Sequence, residues 1–403
     1  MSNKIKLTFW DYNDFVNYKP EWVRDWHDCG MTAPIAPRFS LKNESHEAYR
    51  EMLDLAHSYG MSIIMQFNEA YLDNYFNGAE EYRKTIADIY EEFGSHPAVI
   101  GLYVGEEPAA EHNDTYMEGV KLIRETAPEF IVYVNLGSIE RTERLLLKGE
   151  RSLESWICEF ADYTKSNVMG GGQYSQLSAD NGGIYEYFEN IHRFVDAGKK
   201  CGSEIWFTPL SSAHYTYRVP TEDDYRWQLN TAVACGCKAI VWFRLYDKLI
   251  AADYHGSPID EFGMRTSHFD DLARVQKRFN AHHAEIFARL NHVETYNVGV
   301  GYGGYLYFVP GLTDLVDFAS ARSALISFFK DDEGNDYIAV VNTLQREGAP
   351  ITLSFTDKVR KAQLVYHNGD VLQDCFDRGD RVGVVSSREI WLAPGQMELL
   401  KIN

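Results

Sequence analysis

The sequence lacks several features that would place a protein in a specialised class. Its six cysteines are scattered, with no C-x-x-C pair and no histidine–cysteine cluster at zinc spacing. It has no apolar run long enough to span a bilayer, and its first residues, MSNKIKLTFW, lack the apolar core of a signal peptide. We therefore expect reduced cysteines, no metal and no membrane segment, in a cytoplasmic protein or one exported with its signal peptide removed.

Basic residues are also few: 39 Lys and Arg stand against 59 Asp and Glu, which gives a formal net charge of −20. Nucleic acids and anionic membranes bind basic surfaces, so neither is an expected partner. Gly299, Gly301 and Gly304 satisfy G-x-G-x-x-G, but they lie in a tyrosine-rich segment without a strand-to-helix turn. The G-x-S-x-G element of serine hydrolases is missing. We expect no cofactor and a small polar substrate, and the oligomeric state stays open.

Aromatic residues, by contrast, are plentiful: 26 Tyr, 22 Phe and 8 Trp make up 14% of the chain. Tyrosine and tryptophan suit ligands that present an apolar face edged by hydroxyl groups, and sugars are such ligands. Most of these rings are expected to pack in a core. The rest are available for sugar binding.

Hydrophobic patterning predicts an α/β fold up to about residue 290. Short apolar runs alternate with segments such as HEAYREMLDLAHSYG, which carry apolar residues at helical spacing and end on glycine. After the fifth apolar run, Phe130–Asn135, the sequence shows no comparable helical spacing. Eight predicted strands fit a closed (β/α)8 TIM barrel. They are Lys6–Trp10, Thr32–Ala36, Ser62–Phe67, Val99–Val104, Phe130–Asn135, Tyr163–Met169, Glu204–Thr208 and Ala239–Phe243.

The last part of the chain has a different pattern. Segments such as RSALISFFKD and DYIAVVNT are short strands separated by Asp, Gly and Asn turns. We predict a (β/α)8 catalytic barrel over residues 1–292 and a small antiparallel β-sandwich over residues 293–403, which is an ordinary domain size.

The segment HPAVIGLYVGEEP, His96 to Pro108, is the most informative. Its apolar run predicts a strand buried on both faces, and Pro108 must end it. Glu106 and Glu107 then lie at the carboxyl end of a barrel strand, which is the catalytic face of this fold and suits a general acid or base. The alternative is that both acids only start the next helix, where negative charge is favourable.

Polar and aromatic residues follow the other predicted strands, and the barrel geometry brings them to one funnel at its mouth. Carboxylates, amides and rings together suit the hydroxyls, C–H faces and glycosidic oxygen of a sugar. For Asp14, Asn68 and Ser211 a loop-capping role is the better prediction. The candidates for substrate contacts are Trp10, Asp11, Gln66, Tyr103, Asn135, Gln173, Tyr174, His214, Tyr215, Trp242, Arg244 and Tyr246.

On these residues the chain resembles clan A glycoside hydrolases, the (β/α)8 group that includes β-galactosidase and cellulase families, and especially a bacterial branch with a D/E-E-P fourth strand. The resemblance aligns Glu107–Pro108 with the general acid/base glutamate and its proline. A weaker match covers residues 218–247, the helix and eighth strand. The resemblance to these hydrolases also implies that the C-terminal β domain is accessory. Two positions differ: Glu106 stands where the family has Asn, and no acid follows the seventh strand before Glu222.

The resemblance implies a glycoside hydrolase in which Glu107 is the acid and the neighbouring Glu106 raises the pKa of one of the pair. Asp247, Glu69 and Asp11, in that order, are candidates for the second carboxylate. Arg244 would hold one acid ionised, bind an anionic sugar or form a structural ion pair. Inversion through water, a non-catalytic carbohydrate-binding barrel and a metal-dependent lyase or isomerase are the alternatives. The sugar, the linkage and endo or exo action stay open.

Overall fold

The computed structural model describes residues 4–180, 182–248, 253–377 and 387–403. Its first part contains seven parallel strands, which are β1 (Lys6–Phe9), β2 (Ile63–Gln66), β3 (Val99–Glu106), β4 (Ile131–Asn135), β5 (Val168–Gly172), β6 (Glu204–Thr208) and β7 (Ala239–Trp242). They form one curled sheet in the spatial order β1-β7-β6-β5-β4-β3-β2. The sheet therefore has β1 and β2 at its two edges.

The extended segment 32–39 joins these two edges. The Thr32 amide donates to the Leu7 carbonyl of β1, and the Ala36 amide donates to the Ile64 carbonyl of β2, at 2.9 Å each. Pro34 and Pro37 have no amide hydrogen, which explains why the segment makes isolated bridges instead of the predicted second strand. The segment completes the ring, so the predicted TIM-like barrel is confirmed.

Helices cover the outside of the barrel. Their ends follow the sequence signals: α1 begins on Pro20 and ends at Gly30 in the left-handed conformation, and Thr221 and Asp224 form a capping box at the start of α8. The helices are α1 (Pro20–Cys29), α2 (His46–Ser58), α3 (Ala79–Phe93), α4 (Asn113–Thr126), α5 (Ile139–Leu145), α6 (Leu153–Thr164), α7 (Ile184–Cys201), α8 (Glu222–Ala234), α9 (Ser267–His282) and α10 (Ala284–Arg289).

The region between β4 and β5 corrects the sequence prediction. Two helices, α5 and α6, lie where no clean helix was expected. Helix α6 continues to Thr164 because Trp156, Ile157 and Phe160 share its buried face. The predicted sixth strand, Tyr163–Met169, is therefore wrong in its first half, and β5 runs from Val168 to Gly172.

The C-terminal part is antiparallel, as predicted. Its strands are β8 (Asn291–Gly299), β9 (Val316–Ala321), β10 (Ser323–Lys330), β11 (Asp336–Asn342), β12 (Ala349–Phe355), β13 (Lys361–Tyr366), β14 (Asp370–Asp377), β15 (Ser387–Leu392) and β16 (Met397–Ile402). One sheet has the order β14-β13-β16-β11-β10-β8 and the other the order β15-β12-β9. A cluster that includes Ile326, Val340 and Leu353 fills the space between them.

The two parts pack against each other through α8. The Trp227 Nε1 atom donates to the Thr343 carbonyl at 2.9 Å, and the Asn230 Nδ2 atom donates to the Gly395 carbonyl at 2.9 Å. The barrel core continues into Phe329 and Leu399. The division at residue 292 stays a prediction. In the described ranges, none of the helices has the length and apolar character needed to cross a membrane.

Candidate active site

A funnel of about 400 Å³ opens at the carboxyl ends of the barrel strands. Eight residues from the sequence prediction line it: Trp10, Glu106, Glu107, Asn135, Gln173, Tyr174, His214 and Tyr215. They come from distant parts of the chain and meet because each follows or ends a parallel strand. The structure thus brings these residues together at one mouth, and their role in binding or catalysis stays a prediction.

The floor of the funnel is aromatic. The Trp10 ring lies 4.9 Å from the Tyr103 ring and 6.2 Å from the Tyr133 ring, measured between centroids. Glycine is required beside them, because a Cβ atom on Gly170 would lie 2.5 Å from the Tyr133 ring. Trp10 is only 3% exposed, so the floor is tightly packed.

Glu106 ends β3 and lines the funnel. Solvent reaches this side chain, yet the surrounding protein desolvates its carboxyl. That desolvation, together with the charge of Glu107, raises the pKa of Glu106 to about 7, although Arg141 acts in the opposite direction. Glu106 can therefore carry a proton near neutral pH, which is what a general acid requires.

Glu107 has a different environment. Its backbone has a φ of 44°, which is unusual for a residue other than glycine, and its amide donates to the Asn135 carbonyl at 2.8 Å. Its Oε2 atom lies 2.6 Å from Nη2 of Arg141. Arg141 lies in the first turn of α5, where its amide donates to the Ser138 hydroxyl at 3.3 Å. The helix start thus fixes the cation that pairs with Glu107.

Neutral hydrogen-bonding groups form the opposite wall. Burial and the negative charge of Glu106 raise the pKa values of Tyr12 and Tyr174 well above the ordinary value, so both phenols stay protonated. Burial and the nearby Arg244 guanidinium lower the pKa of His214 to about 4. The His214 ring stacks on Tyr254, with 4.9 Å between centroids. The wall offers hydroxyl and imidazole groups without charge.

The predicted second carboxylates do not line the funnel. Asp247 accepts from the Ser257 hydroxyl at 2.6 Å, and Glu69 accepts from the Ser40 hydroxyl at 3.0 Å and the Leu41 amide at 3.1 Å. Both acids therefore hold loops. Asp11 is 2% exposed and accepts from the Asn13 amide at 2.8 Å, below the funnel. Glu106 and Glu107 are the carboxylates that the described residues bring to the funnel wall.

Five further predicted substrate contacts are not among the described residues that line the funnel. Trp242 and Tyr246 pack in the core outside the sheet, where Trp242 donates to Gln276 at 3.1 Å and Tyr246 accepts from Trp26 at 2.8 Å. Gln66, Tyr103 and Arg244 are buried beneath or behind the wall.

Arg244 lies 3.5 Å from Asp247 and 4.8 Å from the centre of the Tyr254 ring, which supports its reading as a structural ion pair. The expected loop roles agree with the contacts of Asp14, which pairs with Arg38 at 2.8 Å, and of Ser211, which donates to the Arg244 carbonyl at 2.9 Å. The Asn68 carbonyl accepts from Asn74 at 2.8 Å.

Sequence reasoning missed nine lining residues: Tyr12, Leu136, Gly137, Ser138, Arg141, Gly172, Tyr217, Phe243 and Tyr254. Tyr12 had a local signal, since it follows a predicted strand by two residues. Arg141 had none, because its partner Glu107 is distant in sequence. Within the part of the chain that the structure describes, no three His, Cys, Asp or Glu side chains gather as a metal site.

No protein-family model and no curated protein matches the sequence. Solved structures match the fold. A family 5 glycoside hydrolase from Bacteroides vulgatus superposes with a TM-score of 0.59 over 99% of this chain and 89% of that chain, at 13% identity. A family 39 glycoside hydrolase from Bacteroides cellulosilyticus gives 0.54 over 100% and 82%, at 11% identity.

A β-galactosidase from Marinomonas ef1 gives a TM-score of 0.51 at 13% identity. The match covers 68% of this chain and 60% of that enzyme, so the chain spans less than two thirds of its length. These similarities confirm the predicted fold, a barrel followed by an antiparallel β part.

Proposed function

We propose that this protein is a glycoside hydrolase in which Glu106 donates a proton to the glycosidic oxygen. The observation that carries the proposal is a carboxyl group with a pKa of about 7 in an aromatic funnel, at the catalytic end of a barrel. A sugar fits this lining, because rings contact its C–H faces and the neutral phenols and imidazole meet its hydroxyls.

The two adjacent glutamates take different roles in this proposal. The resemblance assigns the acid to Glu107, but Arg141 pairs with that carboxylate at 2.6 Å. An ion pair favours the charged form, whereas burial and a neighbouring negative charge favour the protonated form. The environments of the two groups therefore differ: the surrounding protein desolvates the Glu106 carboxyl and raises its pKa to about 7, whereas the Glu107 carboxylate pairs with Arg141.

Substitution of each glutamate tests this assignment on a panel of 4-nitrophenyl glycosides and reduced oligosaccharides. Glu106→Gln keeps the shape and removes the proton, so kcat should fall by about 10²–10⁴. The loss should be smaller for 4-nitrophenol, a good leaving group that needs little protonation. Glu111→Gln, an exposed glutamate in the loop after β3, is the matched control and should keep full activity. Full activity of Glu106→Gln on an oligosaccharide would contradict the assignment.

A non-catalytic carbohydrate-binding barrel is the second candidate. It is favoured by the wall opposite Glu106, where the described lining residues include no carboxylate. This candidate predicts that an oligosaccharide binds, as measured by isothermal titration calorimetry, and is recovered uncleaved after long incubation.

A further inference from the structure

We propose that the funnel takes a sugar with a 2-acetamido group, and that the carbonyl oxygen of this group acts as the nucleophile. The proposal rests on the proposed function above and names its substrate class. It applies to β-linked N-acetylglucosamine or N-acetylgalactosamine, because the acetamido group can attack C1 only from the face opposite the leaving oxygen.

The first observation is that both carboxylates stand on one side. Among the described residues that line the funnel, Glu106 and Glu107 are the acids, and they are neighbours at the end of β3. A retaining glycosidase with a protein nucleophile needs two carboxyl groups facing each other across the sugar, about 5–5.5 Å apart. Here the opposite wall consists of rings, including Tyr174, His214 and Phe243.

The second observation is that the described residues of this wall include no other nucleophile. The phenols of Tyr12 and Tyr174 stay protonated, because burial raises their pKa values. His214 is held neutral, with a pKa of about 4, so it is a weak base. Ser138 also lines the funnel, but its hydroxyl caps α5 by accepting from the Arg141 amide. The missing nucleophile must come from the substrate or from water.

A 2-acetamido group fits the two carboxyl groups that line the funnel, those of Glu106 and Glu107. One carboxyl group must protonate the leaving oxygen, and a second, charged carboxylate must accept the amide hydrogen as positive charge develops on nitrogen. Glu106 suits the first task, and Glu107, paired with Arg141, suits the second. The leaving oxygen and the acetamido nitrogen lie on the same edge of the sugar. Two neighbouring residues at the end of one strand can therefore contact both groups.

The reaction balances in two steps. The acetamido oxygen forms a bond to C1 while the bond from C1 to the glycosidic oxygen breaks, and that oxygen takes the proton of Glu106. The bicyclic oxazolinium ion that results keeps its N–H, which donates to the Glu107 carboxylate. A water molecule then adds to C1 and gives its proton to Glu106, while the bond between C1 and the oxazoline oxygen breaks. The acetamido group is restored, and the configuration at C1 is retained.

Paired substrates test the proposal. 4-Nitrophenyl β-N-acetylglucosaminide and the β-galactosamine analogue should be hydrolysed, whereas the β-glucoside, which lacks the acetamido group, should react at least ~10³-fold more slowly. The glucoside should react more slowly because it lacks this intramolecular nucleophile, whose effective concentration is large. Successive fluorination of the acetyl methyl weakens the carbonyl as a nucleophile and should lower kcat/KM in proportion. The product should have the β configuration in an NMR time course.

A stable mimic of the intermediate provides a measurement that needs no turnover. The methyl thiazoline fused to the glucose ring should bind at least ~10²-fold more tightly than N-acetylglucosamine, because it resembles the reacting state. Glu107→Gln should weaken its binding at least ~10-fold, since the charged partner of the ring nitrogen is lost. Glu111→Gln should bind it like the unaltered protein, since that side chain is exposed in the loop after β3.

The outcomes separate this inference from the proposed function. Equal hydrolysis of glucoside and N-acetylglucosaminide, or inversion at C1, would overturn the acetamido nucleophile and leave the glycosidase proposal standing. Thiazoline binding without any hydrolysis would overturn the nucleophilic role and favour the binding barrel. Absence of both binding and hydrolysis across the panel would overturn the inference and the proposed function together.

Discussion

Glu107 and Arg141 form an ion pair along one wall of the funnel, with 2.6 Å between Oε2 and Nη2. The pair has two effects on Glu106. The Glu107 charge raises the pKa of Glu106, while the Arg141 charge lowers it. Because burial is the largest cause and acts in the same direction as Glu107, the pKa stays near 7. The ion pair thus adjusts a pKa that desolvation raises.

The pH dependence of activity should follow from this value. The acid form of Glu106 is required for proton donation, and it is lost as the pH rises through about 7. On any glycoside that the protein hydrolyses, log(kcat/KM) should therefore fall with a slope of −1 above about pH 7. A profile that stays flat to pH 9 would contradict the role of Glu106.

Arg141→Gln should move that alkaline limb to higher pH. Removing the guanidinium takes away the positive charge that lowers the pKa of Glu106. The measurement is the pH profile of kcat/KM, compared with that of Arg144→Gln, an exposed position on the same helix. A shift to lower pH, or equal shifts in both variants, would show that Arg141 does not act on Glu106 by its charge.

Asp11→Asn should change how stability depends on pH. Burial raises the pKa of Asp11 from 3.8 to about 7, so the folded state binds this proton more tightly than the unfolded chain. The contribution of Asp11 to the free energy of unfolding is therefore complete below about pH 4 and is lost as the pH rises to about 7.

Asparagine keeps the acceptor for Asn13 but cannot ionise. The decrease in the free energy of unfolding between pH 5 and pH 8, measured by urea denaturation, should become smaller by at most ~3 kcal/mol. Asp14→Asn, which alters an exposed acid in the same loop, should leave the decrease unchanged. An unchanged decrease in Asp11→Asn would show that Asp11 ionises as easily in the folded protein as in the unfolded chain.

Trp242→Phe should lower stability without affecting sugar binding. The Trp242 side chain is fully buried outside the sheet, and its loss leaves the Gln276 Oε1 atom without its donor. A cost of about 1–3 kcal/mol in unfolding is expected, with an unchanged Kd in sugar titration. Phe243→Leu, at the next position, should weaken binding by about 0.5–1.5 kcal/mol, since this ring lines the funnel. If Trp242→Phe weakened sugar binding and Phe243→Leu did not, Trp242 would line the funnel and Phe243 would not.

The Trp242 and Phe243 pair shows where sequence reasoning failed. Both were placed correctly at the end of the last barrel strand, because a short apolar run bounded by turns is visible locally. The face of the strand that each side chain occupies was not predicted correctly. A strand buried on both faces has no polar alternation to indicate which residues point inward. A shift of one residue exchanges the two faces. The same problem placed Tyr246 in the funnel.

The sequence by itself determined the alternating α/β pattern, the antiparallel end and the position of Glu106 and Glu107 at a strand terminus. These features depend on apolar spacing, glycine and proline, which act over a few residues. Only the tertiary structure decided that the two glutamates have different environments. That difference depends on the desolvation of Glu106 by the surrounding protein and on Arg141, which α5 brings to Glu107, and no local pattern records such a contact.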